Sequence, residues 1–191
     1  DEVRRVYDAG ERLFGENREQ GLAARFSEEL PSDIVWHFVG PLQSRKVKSV
    51  GAMCSLLHSL DRMKIARLWA RDAPDVPVLV EFNLADEPQK SGFRADSADR
   101  VLDELLALDL TVRGVMAIPP LVDDPEDARP WFAQLRGIFD RWADRSDGIT
   151  VCSMGMTNDF EVAIEEGATI VRVGRAIFAD EPTGRNDRQD G

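Results

Sequence analysis

Little in this chain offers metal or redox chemistry. Its 191 residues hold two cysteines, Cys54 and Cys152, and two histidines. Each cysteine lies inside an apolar stretch, which reads as a buried free thiol in a reducing compartment and points to the cytoplasm. Histidines and cysteines scattered in this way have no metal-ligand spacing, so no metal is expected. Lysine is scarce too, with only Lys46, Lys48, Lys64 and Lys90, and tyrosine occurs once, at Tyr7. No apolar run approaches the ~20 residues needed to span a bilayer, and no signal-peptide pattern opens the given residues. Positive charge is in deficit: 24 basic against 35 acidic residues leave a net charge of -11. Sequence-independent nucleic-acid binding needs a basic surface that displaces counterions, so neither nucleic acid nor a membrane is an expected partner.

What is present is a regular alternation of apolar runs and helical periodicity. Val3, Val6 and Tyr7 share one face of an opening helix that Gly10 stops. Apolar runs follow at 11–15, 34–40, 53–57, 77–83, 110–118, 149–152 and 169–173, with helices expected between them. Ser59 or Asp61 could cap the helix 62–71. Asp123, Asp124, Glu126 and Asp127 place negative charge at the positive end of the longest helix. No linker or composition shift divides residues 1–180, and a polar tail, 181–191, closes the chain. Seven strands alternating with helices imply a parallel sheet with helices outside. Closed parallel barrels use eight strands, and the first helix here has no strand to feed it. The expected architecture is therefore a (β/α)8 TIM-type barrel whose first strand lies upstream of Asp1. An open doubly wound sheet is the alternative.

Two adjacent units near the C-terminus read as strand, small polar turn, helix: Val151 to Phe160 and Thr169 to Phe178. Turns of Ser and Gly at strand ends leave backbone N–H groups directed at an anion. Parallel barrels build phosphate cups after their last two strands. Ordinary loop chemistry would use the same residues.

Phe14-Gly15-Glu16-Asn17, Trp36-His37-Phe38-Val39-Gly40-Pro41-Leu42-Gln43, His58-Ser59-Leu60-Asp61, Lys90-Ser91-Gly92-Phe93, Arg113-Gly114-Val115-Met116-Ala117-Ile118-Pro119, Ser153-Met154-Gly155-Met156 and Arg172-Val173-Gly174 occur in that order. Together they resemble the pyridoxal phosphate homeostasis proteins, whose fold is similar to the N-terminal barrel of alanine racemase. The resemblance runs from Asp1 to about Ala179. It implies pyridoxal 5'-phosphate as cofactor, with its phosphate on the loops matching Ser153-Met154-Gly155 and Gly174-Arg175. Arg172 is then the arginine facing the pyridine nitrogen. Asn17, His37, Ser59, Lys90 and Met116 match positions near the ring or an incoming amino group. Two departures stand out. Arg45 takes the place of a frequent asparagine, and Arg175 that of a small hydroxyl residue, so Arg175 must offer its backbone N–H or swing its guanidinium onto the phosphate.

The family attaches the cofactor as a Schiff base to a lysine on its first strand, and none of the four lysines follows that pattern. The expectation is that the native polypeptide extends upstream of Asp1 by that strand and lysine. Residues 1–191 alone would then be poorly soluble. Bland readings stand beside each residue: His37 and His58 as hydrogen-bonded core histidines, Lys90 as a solvated loop residue, Asn17 as a helix cap. Arg172, between β-branched residues, is a buried charge that needs a partner.

The resemblance implies a non-catalytic carrier and regulator balancing free cofactor and amino- or keto-acid pools, serving cofactor-dependent apo-enzymes as a monomer or weak homodimer. The alternatives are an amino-acid racemase-like enzyme on the same cofactor, or a barrel enzyme acting on a phosphorylated metabolite. Racemisation needs bases on both faces of the substrate. The family's relative takes its second base, a tyrosine, from a further domain, and Tyr7 sits instead on the opening helix. A phosphorylated-metabolite enzyme would call for a carboxylate pair at the strand ends, which Glu81 alone does not supply.

Overall fold

A computed structural model describes residues 2–178. Eight parallel strands, separated by helices except between β4 and β5, are β1 (Leu13–Glu16), β2 (Val35–Phe38), β3 (Leu56–Leu60), β4 (Val78–Asn83), β5 (Phe93–Arg94), β6 (Val112–Ala117), β7 (Val151–Met156) and β8 (Ile170–Arg172). The helices are α1 (Glu2–Asp8), α2 (Glu19–Ser27), α3 (Val47–Gly51), α4 (Met63–Asp72), α5 (Ala98–Leu106), α6 (Arg129–Ala143), α7 (Phe160–Glu165) and α8 (Arg175–Phe178). The strand order is β1-β2-β3-β4-β6-β7-β8, and two-residue β5 pairs only with the end of β4. The wall is a barrel of seven staves, open between β1 and β8 among the described residues. The polar tail lies outside the described residues.

Strands buried on both faces read as continuous apolar runs, and all five residues of β3 are buried. Outward side chains pack under the helices. α6 buries Phe132, Leu135, Ile138, Phe139 and Trp142 along one stripe, the spacing that carries a helix onto a sheet. Trp142 meets Phe82 of β4 edge-on at 5.6 Å. Asp124 accepts the Glu126 N–H at 3.0 Å and Pro125 opens the 3-10 turn leading into α6, so the acidic stretch lies on that turn and not on the longest helix, whose own first turn from Arg129 carries no acid. Arg129, bonded to Glu126, Glu165 and Glu166, ties the start of α6 to α7.

Three local expectations need correction. The strand expected at 149–152 runs from Val151 to Met156, so Ser153, Met154 and Gly155 belong to the strand and the turn is Thr157-Asn158-Asp159. The strand expected at 53–57 starts at Leu56 and carries His58 and Ser59 within it. Neither Ser59 nor Asp61 caps α4, whose N-cap is Arg62 with no side-chain cap bond. Apolar patterning locates a strand well but not its ends, because a buried polar residue inside the barrel looks like the start of a loop.

Candidate functional site

Side chains alternate across a strand, so every second residue of this wall enters the lumen. The floor is apolar: Leu56, Leu79 and Met116 pack together with Val151 against them. One layer above, on the strands' C-terminal side, the lumen turns polar. Arg172 of β8 donates from Nη1 to Ser153 Oγ at 2.6 Å and from Nη2 to the Ala117 carbonyl at 3.0 Å. Ser153 Oγ lies 3.1 Å from His58 Nδ1, and His58 Nε2 lies 3.0 Å from His37 Nδ1.

A guanidinium only donates, so Ser153 accepts from Arg172, and its hydroxyl either donates to His58 Nδ1 or accepts a second bond from it, according to the tautomer of His58. The Nε2 of a neutral His58 takes the complementary role toward His37 Nδ1. The row Arg172-Ser153-His58-His37 crosses the lumen from β8 to β2.

Burial sets the charges. Desolvation, reinforced by His37 and Arg172, pushes His58 down to about 2, and burial lowers His37, which holds both rings neutral. Desolvation brings Arg172 down to about 10, against the opposing pull of Glu81 and Asp159, so it stays cationic at neutral pH. Glu81 on β4 is pushed up to about 7, first by desolvation and then by Asp61, while Arg172 and Arg62 pull the other way. Asp61 is therefore close enough to act on Glu81, a carboxylate neighbour that only the fold reveals.

A cavity of about 700 Å³ runs along the slot between β1 and β8, and Asn17, His37, His58, Arg172 and Gly174 all line it. Its upper end is the turn from β8 into α8. The Gly174 carbonyl accepts the Ile177 and Phe178 N–H groups at 2.8 and 2.9 Å. The N–H groups of the first turn, at Arg175 and Ala176, have no preceding turn to bond. A Cβ built on Gly174 would meet no heavy atom within 4 Å. That glycine borders open space.

The sequence-expected residues divide accordingly. His37, Ser153, Arg172, Gly174 and Asn17 gather around the slot. Asn17 is exposed at the end of β1, its carbonyl pressed against Gly40, where a Cβ would come within 1.9 Å. The others stand elsewhere. Ser59 is turned to the outer face and donates to the Gly40 carbonyl at 2.5 Å, so it braces the loop after β2 rather than bordering the mouth. Met154 is buried in the outer core beside Cys152, and Met116 belongs to the floor. Gly155, at φ +88°, has the conformation glycine favours, and its missing Cβ leaves room for Ala163 of α7. Lys90 stands across the mouth, paired with Glu87 at 2.5 Å and donating to the Pro119 carbonyl at 3.1 Å. Arg175 is exposed, 3.4 Å from Asn158 Oδ1, and Arg45 reaches Gln43 at 3.2 Å. His58, read from sequence as a core histidine, is in the hydrogen-bonded row itself.

Among the described residues no three His, Cys, Asp or Glu side chains converge as a metal site, and no helix is long and apolar enough to cross a membrane. Both cysteines are free and buried, and desolvation pushes each thiol up to about 12.

No family model matches the chain. It is 38% identical over 185 residues to the pyridoxal phosphate homeostasis protein of Aquifex aeolicus, covering 93% of this chain and 81% of that one. It is 38% identical over 187 residues to the protein of the same name from Vibrio cholerae, covering 93% and 79%. Among solved structures, PipY of Synechococcus elongatus PCC7942 without PLP superposes with a TM-score of 0.84 at 33% identity, covering 93% of this chain and 86% of that one. PipY with PLP bound gives 0.82 at 32%, covering 92% and 85%. Lysine/ornithine decarboxylase of Vibrio vulnificus gives 0.71 at 14% identity, covering 92% and 52%, a likeness of fold alone.

Proposed function

The chain belongs to the pyridoxal phosphate homeostasis protein family, and from that premise we propose that it binds pyridoxal 5'-phosphate at the lumen mouth and acts as a cofactor carrier and regulator rather than a catalyst. The observation that carries this reading is Arg172, a buried cation that Ser153 and the Ala117 carbonyl hold at the lumen.

The residues present fit the group. Arg172 offers N–H donors and has no acceptor, which suits the lone pair of a pyridine nitrogen. The open space at Gly174, with the first N–H groups of α8 around it, suits a phosphate. Ser153 and Ala117 hold the guanidinium in place, so its direction toward the cavity is set before any ligand enters. The cofactor, when bound, supplies an electron sink for chemistry at an attached amine. A guanidinium opposite the ring nitrogen keeps that nitrogen unprotonated and weakens the sink. His37 and His58 are held neutral within a hydrogen-bonded row, which leaves neither as a strong base. These features support binding without turnover.

The four lysines lie away from the lumen. Lys48 and Lys64 are exposed on α3 and α4, Lys46 pairs with Glu19 at 3.2 Å, and Lys90 pairs with Glu87. The barrel is read as lacking one stave, and the slot between β1 and β8 suits a further parallel strand whose inward lysine would meet the cofactor beside Arg172. A cytoplasmic carrier passing cofactor to apo-enzymes, as a monomer or weak homodimer, completes the reading. Visible absorbance of the natural polypeptide, followed by borohydride reduction and peptide mapping, tests it. A lysine-bound cofactor band with the adduct on a strand in the slot supports the proposal. An adduct on Lys46, Lys48, Lys64 or Lys90 would overturn it.

A further inference from the structure

A guanidinium on a long, rotatable side chain aims at a ligand only as well as its own partners hold it. Arg172 has two such partners, Ser153 Oγ at 2.6 Å and the Ala117 carbonyl at 3.0 Å. The carbonyl is fixed by the backbone of β6. The hydroxyl is not, because Ser153 can turn about one side-chain bond into any of three staggered positions. Ser153 is 0% exposed, so bulk water does not select among them. The other side chain bonded to its oxygen among the described residues is His58, with Nδ1 at 3.1 Å. His58 is pinned in turn by His37, whose Nδ1 lies 3.0 Å from His58 Nε2. Whether Ser153 donates to Nδ1 or accepts from it, its oxygen keeps a lone pair for Arg172.

The His58 ring borders the cavity but is 1% exposed, so it acts through Ser153 rather than by touching a ligand. We infer that His58 is a positioning residue for the cofactor: its Nδ1 holds the Ser153 hydroxyl in the rotamer that receives Arg172, and so sets the direction in which the guanidinium meets the ring nitrogen of the ligand. The inference rests on the proposed cofactor site. It gives the two ring nitrogens of His58 different duties, Nδ1 serving the ligand and Nε2 the bond to His37. A histidine that only satisfied its buried polar neighbours would carry no such asymmetry.

Two substitutions separate these duties, because the amide of asparagine reaches about as far as Nδ1 and that of glutamine about as far as Nε2. Dissociation constants for pyridin-3-ylmethyl phosphate and benzyl phosphate are measured by ligand-observed nuclear magnetic resonance on the natural polypeptide in its cofactor-free form, at neutral pH. The two compounds differ only in the ring nitrogen, placed relative to the phosphate arm as in pyridoxal 5'-phosphate, and neither has an aldehyde to react with a lysine. Wild type should prefer the pyridine compound by about tenfold or more, as one hydrogen bond to a charged group provides. His58→Asn should keep that preference and His58→Gln should lose most of it, while benzyl phosphate binds all three proteins alike. Equal losses in the two variants, or a preference that survives His58→Gln, would overturn the positioning role. A second readout needs no substitution. The chain has two histidines, so their ring nitrogen resonances are readily assigned. Pyridin-3-ylmethyl phosphate should shift the His58 Nδ1 resonance of wild type more than benzyl phosphate does, and identical shifts would overturn the inference. A wild type that binds both compounds equally, or neither, overturns the cofactor site on which it rests.

Discussion

Replacing Gly174 separates a ligand cradle from a structural glycine. A Cβ at Gly174 meets nothing within 4 Å, whereas one at Gly155 would lie 2.5 Å from the Ala163 Cβ at a strained φ of +88°. Gly174→Ala and Gly174→Val should therefore leave the melting temperature unchanged or slightly raised, since a side chain compatible with the native backbone stabilises by about 0.4–1 kcal/mol through the unfolded state. The same substitutions fill the space that phosphate oxygens need to reach the N–H groups of Arg175 and Ala176. Two hydrogen bonds to a charged group, at about 1.5–3 kcal/mol each, amount to about 3–6 kcal/mol. That is a loss of at least a hundredfold in affinity for Gly174→Val, with Gly174→Ala between it and wild type. Gly155→Ala should behave oppositely, losing several degrees of melting temperature. Equilibrium dialysis with pyridoxal 5'-phosphate and a thermal melt on the same samples check both. Wild-type affinity in Gly174→Val, or a large loss of stability there, would refute the cradle.

Three further outcomes follow from the lumen. Ser153→Ala leaves an Arg172 N–H and His58 Nδ1 buried without their partner, so urea unfolding should show a loss of about 1–3 kcal/mol that Ser153→Thr partly restores; an unchanged midpoint would break the row. His58 titrates near 2 when folded against 6.5 unfolded, so its contribution is lost as pH falls below 6.5, while Glu81, near 7 folded against 4.5 unfolded, loses its contribution as pH rises from 4.5 toward 7. The two slopes offset each other between 4.5 and 6.5, and Glu81→Gln should expose a fall of roughly 2–3 kcal/mol across that window on acidification, at about 1.4 kcal/mol per pH unit; identical urea midpoint shifts in wild type and variant would contradict it. L-alanine should not be racemised measurably, and turnover at ~1 per second or more, an ordinary enzyme rate, would remove the non-catalytic reading.

The alternation of strands and helices was legible because burial on both faces makes a parallel strand apolar throughout, and β4 and β6 lie close to their expected positions. Sequence failed where a polar residue points into the lumen. Ser153 looked like the first residue of a turn because serine favours turns, yet Arg172 and His58 hold it in mid-strand. His58 is the hydrogen-bonded core histidine that the sequence suggested, but its partners, 21 and 95 residues away, come only from the fold. Glu81 looked solitary because Asp61, twenty positions earlier, reaches it only through the pairing of β3 with β4. Arg172 was recognisable because a cation among β-branched residues is anomalous from sequence alone. Ser59 and Met154 matched motif positions but face outward, since motif order records adjacency along the chain and not which side of the wall a residue takes.

The central claim is that the lumen mouth holds pyridoxal 5'-phosphate with its ring nitrogen toward Arg172 and its phosphate at Gly174. A crystal structure of the natural polypeptide grown with the cofactor measures this directly. The account expects phosphate oxygens within hydrogen-bonding distance of the backbone N–H groups at the start of α8, and the pyridine nitrogen facing the Arg172 guanidinium. A cofactor bound anywhere else on the barrel, or a ring nitrogen facing a carboxylate such as Glu81, would contradict it.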